Sequence, residues 1–328
     1  MKPVLISGVQ PTGKLHIGNY LGALKNFVRL QNTGKFHCFF FVADLHSLTE
    51  SFNPKEKPTQ VEDLILDFLA AGLDPKKSVL FVQSAIPAHS ELAWILTTIA
   101  PFGELRRMTQ FKEKAGEEYE TTNVGLFEYP VLMASDILLY NARFVPVGDD
   151  QLQHLELTRT LARKFNSKFG NTFFEPKPLL TETPRLMSLD DPAKKMSKSR
   201  PEGCLFLDDA PEVIRKKIMR AVTDSDTEVR ADREQKPAIT NLIRIYSAMS
   251  GKSVLYIEER FKGKGYGEFK RELAEVILQE LAPLQKKKRD LGKRRAEIKK
   301  QIIAGNKNAN TVALKKLTEV KKKVGIAF

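Results

Sequence analysis

Two short segments carry residues suited to handling phosphate. In GVQPTGKLHIGNYLGAL, residues 8–24, glycines at 8, 13, 18 and 22 permit tight turns and close backbone approach where a helix should open. A helix N-terminus attracts phosphate through its free N–H groups and its dipole. Gln10, Pro11, Thr12, His16, Gly18 and Asn19 fall in this stretch. It matches neither GxGxxG nor a P-loop, so neither dinucleotide nor P-loop binding follows. Alone, HIGN at 16–19 is weak, because a helix-opening His beside Gly is more often structural.

About 180 residues later stands KMSKS: Lys195, Met196, Ser197, Lys198 and Ser199. Its surroundings, SLDDPAKKMSKSRPEG, are rich in Pro, Ser, Lys and Gly and read as an exposed, mobile loop. Phosphoryl chemistry needs cations delivered to a departing pyrophosphate, and Lys195 and Lys198 are suited to that. An arbitrary KxxK is merely solvated by roughly ten to one. HIGN after a first strand together with KMSKS after the sheet is a far stronger signal than either.

A third segment, residues 125–159, bears on the substrate. Helical spacing places Tyr129, Met133, Asp136 and Tyr140 on one face. An acidic residue on an apolar face is either an internal hydrogen-bonding group or an acceptor for a ligand. A bicyclic side chain with one N–H donor needs an apolar slot with a fixed acceptor, and Asp136 beside Met133, Val145 and Val147 offers both. A phenol would also suit such an acceptor, so Asp136 alone does not separate indole from phenol.

The elements that position these residues are those of an α/β fold. Apolar, β-rich runs at 4–7, 39–42, 79–82 and 144–147 read as strands, and 18–30, 59–73, 91–100, 125–140 and 150–165 have helical spacing. That alternation predicts a Rossmann-like, doubly wound parallel sheet covered on both faces. Beyond about residue 191 strand signals fade and helical stretches follow at 211–221, 239–249 and 268–284. The expected division is a catalytic domain over 1–190, the KMSKS loop over 191–203 and a helical C-terminal domain over 204–328, whose last helix is expected to pack back on the first domain.

Bulk properties exclude other classes. With 328 residues, 42% hydrophobic, the chain can bury a substantial core. No apolar run reaches the ~20 residues needed to cross a bilayer, and the first residues lack a signal-peptide pattern, so a cytoplasmic location is expected. Two distant cysteines and five scattered histidines suggest neither a disulfide framework nor a metal site; any metal should arrive with a ligand. Of the net charge of +13, nearly all is C-terminal: residues 281–328 hold 15 Lys and Arg against 3 Asp and Glu. Such a concentration suits a polyanion or a solvated helix face.

The pairing of HIGN with KMSKS resembles the class I aminoacyl-tRNA synthetases. YPVLMASDILLY, VPVGDDQLQH, ELRRMTQFKEK, TNLIRIYSAMSG and GKGYGEFK extend the resemblance over nearly the whole chain to the bacterial tryptophanyl-tRNA synthetases. It implies adenylate formation from L-tryptophan and ATP, then transfer to the 3′ end of tRNA(Trp), with Mg²⁺ held mainly by the ATP phosphates. Carried over position by position, Asp136 would bind the indole N–H, and Tyr129 and Gln151 the α-amino group. Gly148, Asp149 and Asp150 would meet the ATP ribose region, and Leu186 would touch adenine through its backbone. Lys114 would add a third cation near the phosphates. A homodimer is implied, with neither membrane nor DNA as partner. Ile6 stands where many relatives place an aromatic residue against the indole, so a differently shaped slot is expected. His16 replaces a common Thr, no cluster-binding cysteine set is present, and the basic stretch 285–303 matches least well. The rivals are a tyrosine-specific relative, a small nucleotidylyltransferase and a non-catalytic RNA-binding module.

Overall fold

The computed structural model describes residues 2–109, 122–148, 151–180 and 186–327. Lys114, Asp149 and Asp150 lie outside the described residues. Five parallel strands, β1 (Val4–Val9), β2 (His37–Val42), β3 (Ser78–Val82), β4 (Phe144–Val147) and β5 (Lys177–Leu180), form one sheet in the order β3-β2-β1-β4-β5. This is the doubly wound α/β fold expected from the alternating pattern. The period of two in a strand divides the core: Leu5, Phe40 and Val42 pack on one side, and Ile6, Phe39 and Phe41 on the other. β5 escaped the sequence reading because KPLL is short and carries Pro178, which an edge strand tolerates.

The first side is covered by a helix that opens at Ile17–Asn19, passes through a π-helical turn at Tyr20–Leu24 and continues as Lys25–Asn32; together these are α1. α2 (Lys57–Ala71) joins it. The second side is covered by α3 (Ala88–Thr97), α4 (Phe102–Arg106), α5 (Val124–Leu138) and α6 (Leu152–Phe169). Strand order reverses about β1, between β2 and β4. Open α/β sheets bind ligands in the crevice at the carboxyl ends of their strands at such a point.

The rest of the described chain is helical: α7 (Pro211–Arg220), α8 (Pro237–Ser250), α9 (Val254–Arg260), α10 (Tyr266–Gly292) and α11 (Arg295–Val324). α10 runs through Pro283 and so exceeds the stretch read from spacing. Near its end, Lys288 Nζ lies 2.7 Å from carboxylates of both Asp67 on α2 and Asp208, which ties the helical part to the sheet's cover.

α11 then lies against edge strand β3. Gly305 is required there, since a Cβ would sit 1.8 Å from the Leu80 carbonyl oxygen. The next residue, Asn306, accepts a hydrogen bond from the Val82 N–H through Oδ1 at 2.9 Å, so a side chain continues what a sixth strand would have done. Lys316 donates to the Thr172 carbonyl, and Lys321 pairs with Glu91. Gly305→Val is therefore expected to lift α11 from the strand at a cost of about 2–4 kcal/mol, combining overpacking with an orphaned N–H. Chemical denaturation measures this; an unchanged midpoint would show that the edge does not depend on this contact.

Candidate active site

A cavity of about 310 Å³ opens at the carboxyl ends of β1 and β4, where the strand order reverses. β1 contributes Ile6, Ser7 and Gly8, and β4 contributes Val145, Pro146 and Val147. α5 sends in Tyr129, Met133 and Asp136 from successive turns of one face, and Gln10, Gly148 and Gln151 stand at the strand ends. Every residue assigned to the amino-acid slot from sequence thus lines one cavity, together with Gln10 and Gly148 of the nucleotide set.

Sequence reading missed several walls. Phe27 of α1 and Phe41 of β2 supply aromatic surface although Ile6 does not. Phe41 stacks on Phe81, with ring centroids 5.2 Å apart, and leans over Gly8, where a Cβ would come within 2.6 Å of its ring. Gly8 therefore serves close packing of an aromatic wall. The π-helical turn of α1 brings Gly22 and Ala23 to the cavity, a bulge of the kind common at functional sites.

Asp136 is 2% exposed. Its Oδ1 accepts from Gln83 Nε2 at 2.8 Å and meets His89 Nδ1 at 2.6 Å; its Oδ2 meets His46 Nε2 at 2.7 Å. Burial by itself would raise its pKa, but the charge and hydrogen bonds of His46 and His89 outweigh it and hold the carboxyl below its ordinary value. Both readings of this residue made from sequence thus apply to its place: it is an internal hydrogen-bonding group, and it faces a cavity. His46 lines that cavity as well. Separations of 90 and 47 residues from Asp136 hid the two histidines, and no local pattern marks them. Across the cavity Tyr129 Oη lies 2.7 Å from His154 Nε2.

The HIGN turn explains itself through helix capping. His16 is the N-cap of α1: its Nδ1 accepts from the Gly18 N–H at 3.0 Å, and its own N–H donates to Asn19 Oδ1 at 3.1 Å. Nδ1 must be unprotonated to accept, which leaves Nε2 as the N–H bearing atom. The structural reading of a helix-opening His is correct, and it fixes the tautomer that a phosphate would meet. Burial, followed by the charges of Lys198 and Lys195, pushes its pKa down to about 4.

The KMSKS loop reaches this turn. Lys198 Nζ donates to Thr12 Oγ1 at 3.1 Å and to the Gly13 carbonyl at 3.3 Å. Lys195 forms an isolated bridge with Met187, Met196 N–H donates to the Leu186 carbonyl, and the Ser197 and Ser199 hydroxyls lie 3.0 Å apart. After the loop, residues 205–207 pair with the chain on either side of His16 through Ile17 N–H to Leu205 O and Leu207 N–H to Leu15 O. The foot of the loop is held by Asn241 of α8, whose side-chain amide both accepts from and donates to the Met187 backbone. A further cation was not foreseen: Lys57 of α2 donates to Ser47 Oγ at 2.9 Å and to the Pro11 carbonyl at 3.4 Å. Gln10, Pro11, Thr12, His16, Gly18, Asn19, Lys195 and Lys198 are thus neighbours at one mouth, whereas Leu186 and Met196 form the loop's buried side.

A pH prediction follows from His16. With a folded pKa near 4 against 6.5 for the ordinary side chain, the unfolded chain binds the proton more readily between these values. The His16 contribution to stability is complete above 6.5 and declines as pH falls toward 4. A ring-proton titration by NMR of the ATP-free protein should give a midpoint near 4; a midpoint near 6.5 would show that burial and the two lysines do not act on it.

Comparison with known proteins gives the geometry a context. A family-wide profile described as tRNA synthetases class I (W and Y) matches residues 1–282. A tryptophan–tRNA ligase of Caldanaerobacter subterraneus subsp. tengcongensis is 51% identical over 325 residues, covering 98% of each chain. Among solved structures, the tryptophanyl-tRNA synthetase of Mycoplasma pneumoniae superposes with a TM-score of 0.90 at 38% identity, covering 100% of this chain and 99% of its own. That of Campylobacter jejuni, complexed with ADP and tryptophan, gives a TM-score of 0.82 at 33% identity over 98% and 99% of the two chains.

Proposed function

The chain belongs to the class I tRNA synthetases for tryptophan and tyrosine and is an ATP-dependent ligase of tryptophan to tRNA, and from that premise we propose how its residues divide the work. The carboxylate of L-tryptophan attacks the α-phosphorus of ATP, the bond to the bridging oxygen breaks, and pyrophosphate leaves. A hydroxyl of the terminal ribose of tRNA(Trp) then attacks the carbonyl carbon of the adenylate and AMP leaves. No covalent intermediate on the protein is required, so catalysis is positioning and stabilisation of phosphate charge.

The observation that carries this division is the cavity with Asp136 at its inner end and the His16–Lys198 mouth beside it. Asp136 accepts the indole N–H on Oδ2, which has one protein partner where Oδ1 has two. Met133, Val145, Val147 and Ile6 enclose the rings, and Tyr129 and Gln151 take the α-amino group. The Gln10–Pro11–Thr12 turn, His16, Gly18, Asn19 and Gly148 receive ATP, with Asp149 and Asp150 beside the ribose and the Leu186 backbone against adenine. Lys195 and Lys198 stabilise the departing pyrophosphate, Lys114 adds a third cation, and Met196, Ser197 and Ser199 shape the loop that closes over ATP. ATP would bring Mg²⁺ on its phosphates, where the metal would neutralise developing charge.

The helical part over 204–328 reads the anticodon, and its basic stretch attracts the RNA backbone. A homodimer acting in the cytoplasm completes the reading; among the described residues no helix is long and apolar enough to cross a membrane. A crystal structure with tryptophan and a non-hydrolysable ATP analogue tests the site. The indole nitrogen should lie within hydrogen-bond reach of Asp136 Oδ2, and the β- and γ-phosphates near Lys195 and Lys198. An indole seated outside the cavity would overturn the assignment.

A further inference from the structure

We propose that Tyr140 and His89 are positioning residues for the amino-acid slot, holding Asp136 so that Oδ2 alone is open to an N–H donor in the cavity. The inference rests on the reading of Asp136 as the acceptor of the ring N–H. Its basis is a buried chain of polar groups behind the cavity wall. Tyr140 Oη lies 2.9 Å from His89 Nε2, and His89 Nδ1 lies 2.6 Å from Asp136 Oδ1. Tyr140 is 1% exposed and His89 is fully buried, and neither lines the cavity. Groups this deep do not serve solubility, and apolar residues of similar size would fill the space at less desolvation cost.

The order of the chain decides what it does. A neutral imidazole has one N–H and one acceptor nitrogen, and the hydrogen bond made by one nitrogen sets the state of the other. Asp136 Oδ1 can only accept, so His89 Nδ1 carries a ring proton, and the Tyr140 hydroxyl meets the other ring nitrogen, which holds the imidazole from both sides. That proton points at Asp136 Oδ1, which also accepts from Gln83 Nε2 at 2.8 Å. Two donors then hold Oδ1 away from the cavity, and the carboxylate plane is fixed. Oδ2, held by His46 Nε2 alone, keeps a lone pair for the substrate. The His89 backbone is pinned in turn, since Ser135 Oγ of α5 donates to its carbonyl at 2.6 Å. The slot therefore offers one ionised acceptor in one orientation, as rejection of rings without an N–H requires, because its own polar group would be left unmatched.

Removing the Tyr140 hydroxyl takes the partner from His89 Nε2, so the ring is no longer held from both sides and Asp136 Oδ1 loses its fixed donor geometry. Steady-state pyrophosphate exchange on the full chain, with L-tryptophan and with L-β-(benzothiophen-3-yl)alanine, reads the effect, because sulfur replaces the ring N–H in the analogue. Tyr140→Phe should raise KM for tryptophan about 10-fold, the equivalent of ~1.4 kcal/mol, with KM for the analogue and kcat nearly unchanged. His89→Leu should do the same. His89→Asn, whose amide sits near the Nδ1 position and can donate to Oδ1, should restore the preference for tryptophan. Equal losses for both substrates in Tyr140→Phe and His89→Leu, or no loss in either, would overturn the proposal. A wild-type enzyme with no preference for tryptophan over the analogue would instead remove Asp136 itself as the N–H acceptor.

Discussion

Replacing Lys195 with alanine is expected to slow adenylate formation by about 10²–10³-fold while leaving tryptophan affinity within about a factor of two. Lys195 is exposed on the KMSKS loop and lines no part of the amino-acid cavity, so its removal takes no contact from the ring or the α-amino group. What it contributes is charge at the mouth, where its field already helps depress the pKa of His16. That charge matters most when negative charge accumulates on the leaving pyrophosphate, so the loss should fall on kcat. Lys198 is less clean as a probe, because Lys198→Ala also removes the contacts to Thr12 and Gly13. Single-turnover kinetics with a parallel tryptophan titration measures both quantities. A fall in tryptophan affinity as large as the fall in rate would remove Lys195 from the leaving-group role.

Asp136→Ala should have its effect on the opposite side of that division. A hydrogen bond to a charged acceptor contributes about 1.5–3 kcal/mol, so KM for tryptophan should rise about 10- to 100-fold, and the preference over phenylalanine should fall by at least as much. The same change strands the side chains of His46, His89 and Gln83, three buried donors that now converge on one carboxylate. A stability loss is therefore expected alongside the specificity loss, and the preference ratio for folded enzyme separates the two. An unaltered preference for tryptophan over phenylalanine would place the recognition of the ring elsewhere.

Much of the fold was legible because the central strands announce themselves. HCFFFV and VLFV are buried on both faces, and such runs need no alternation. β5 was not, because an edge strand with Pro178 lacks that signature. For α11 the sequence reading reached a last helix packed back on the first domain, but nothing local says that Gly305 and Asn306 meet β3. In the site, the residues of α5 were found because helical spacing is a local property, and Val145 and Val147 because they belong to a readable strand. Phe27, Phe41, His46 and His89 were not, since each reaches the cavity or Asp136 only through the winding of the sheet. Ile6 shows the limit of reading one position at a time. No aromatic residue stands at position 6, and Phe41 and Phe27 bring aromatic surface to the slot from neighbouring elements.

The distinction between indole and phenol is where specificity rests, and amino-acid-dependent exchange of labelled pyrophosphate into ATP tests it across all amino acids at once. Tryptophan alone should support exchange, because one fixed acceptor inside a bicyclic-sized apolar slot rejects smaller rings and rings without an N–H. Exchange with tyrosine, or with no amino acid at all, would contradict that assignment.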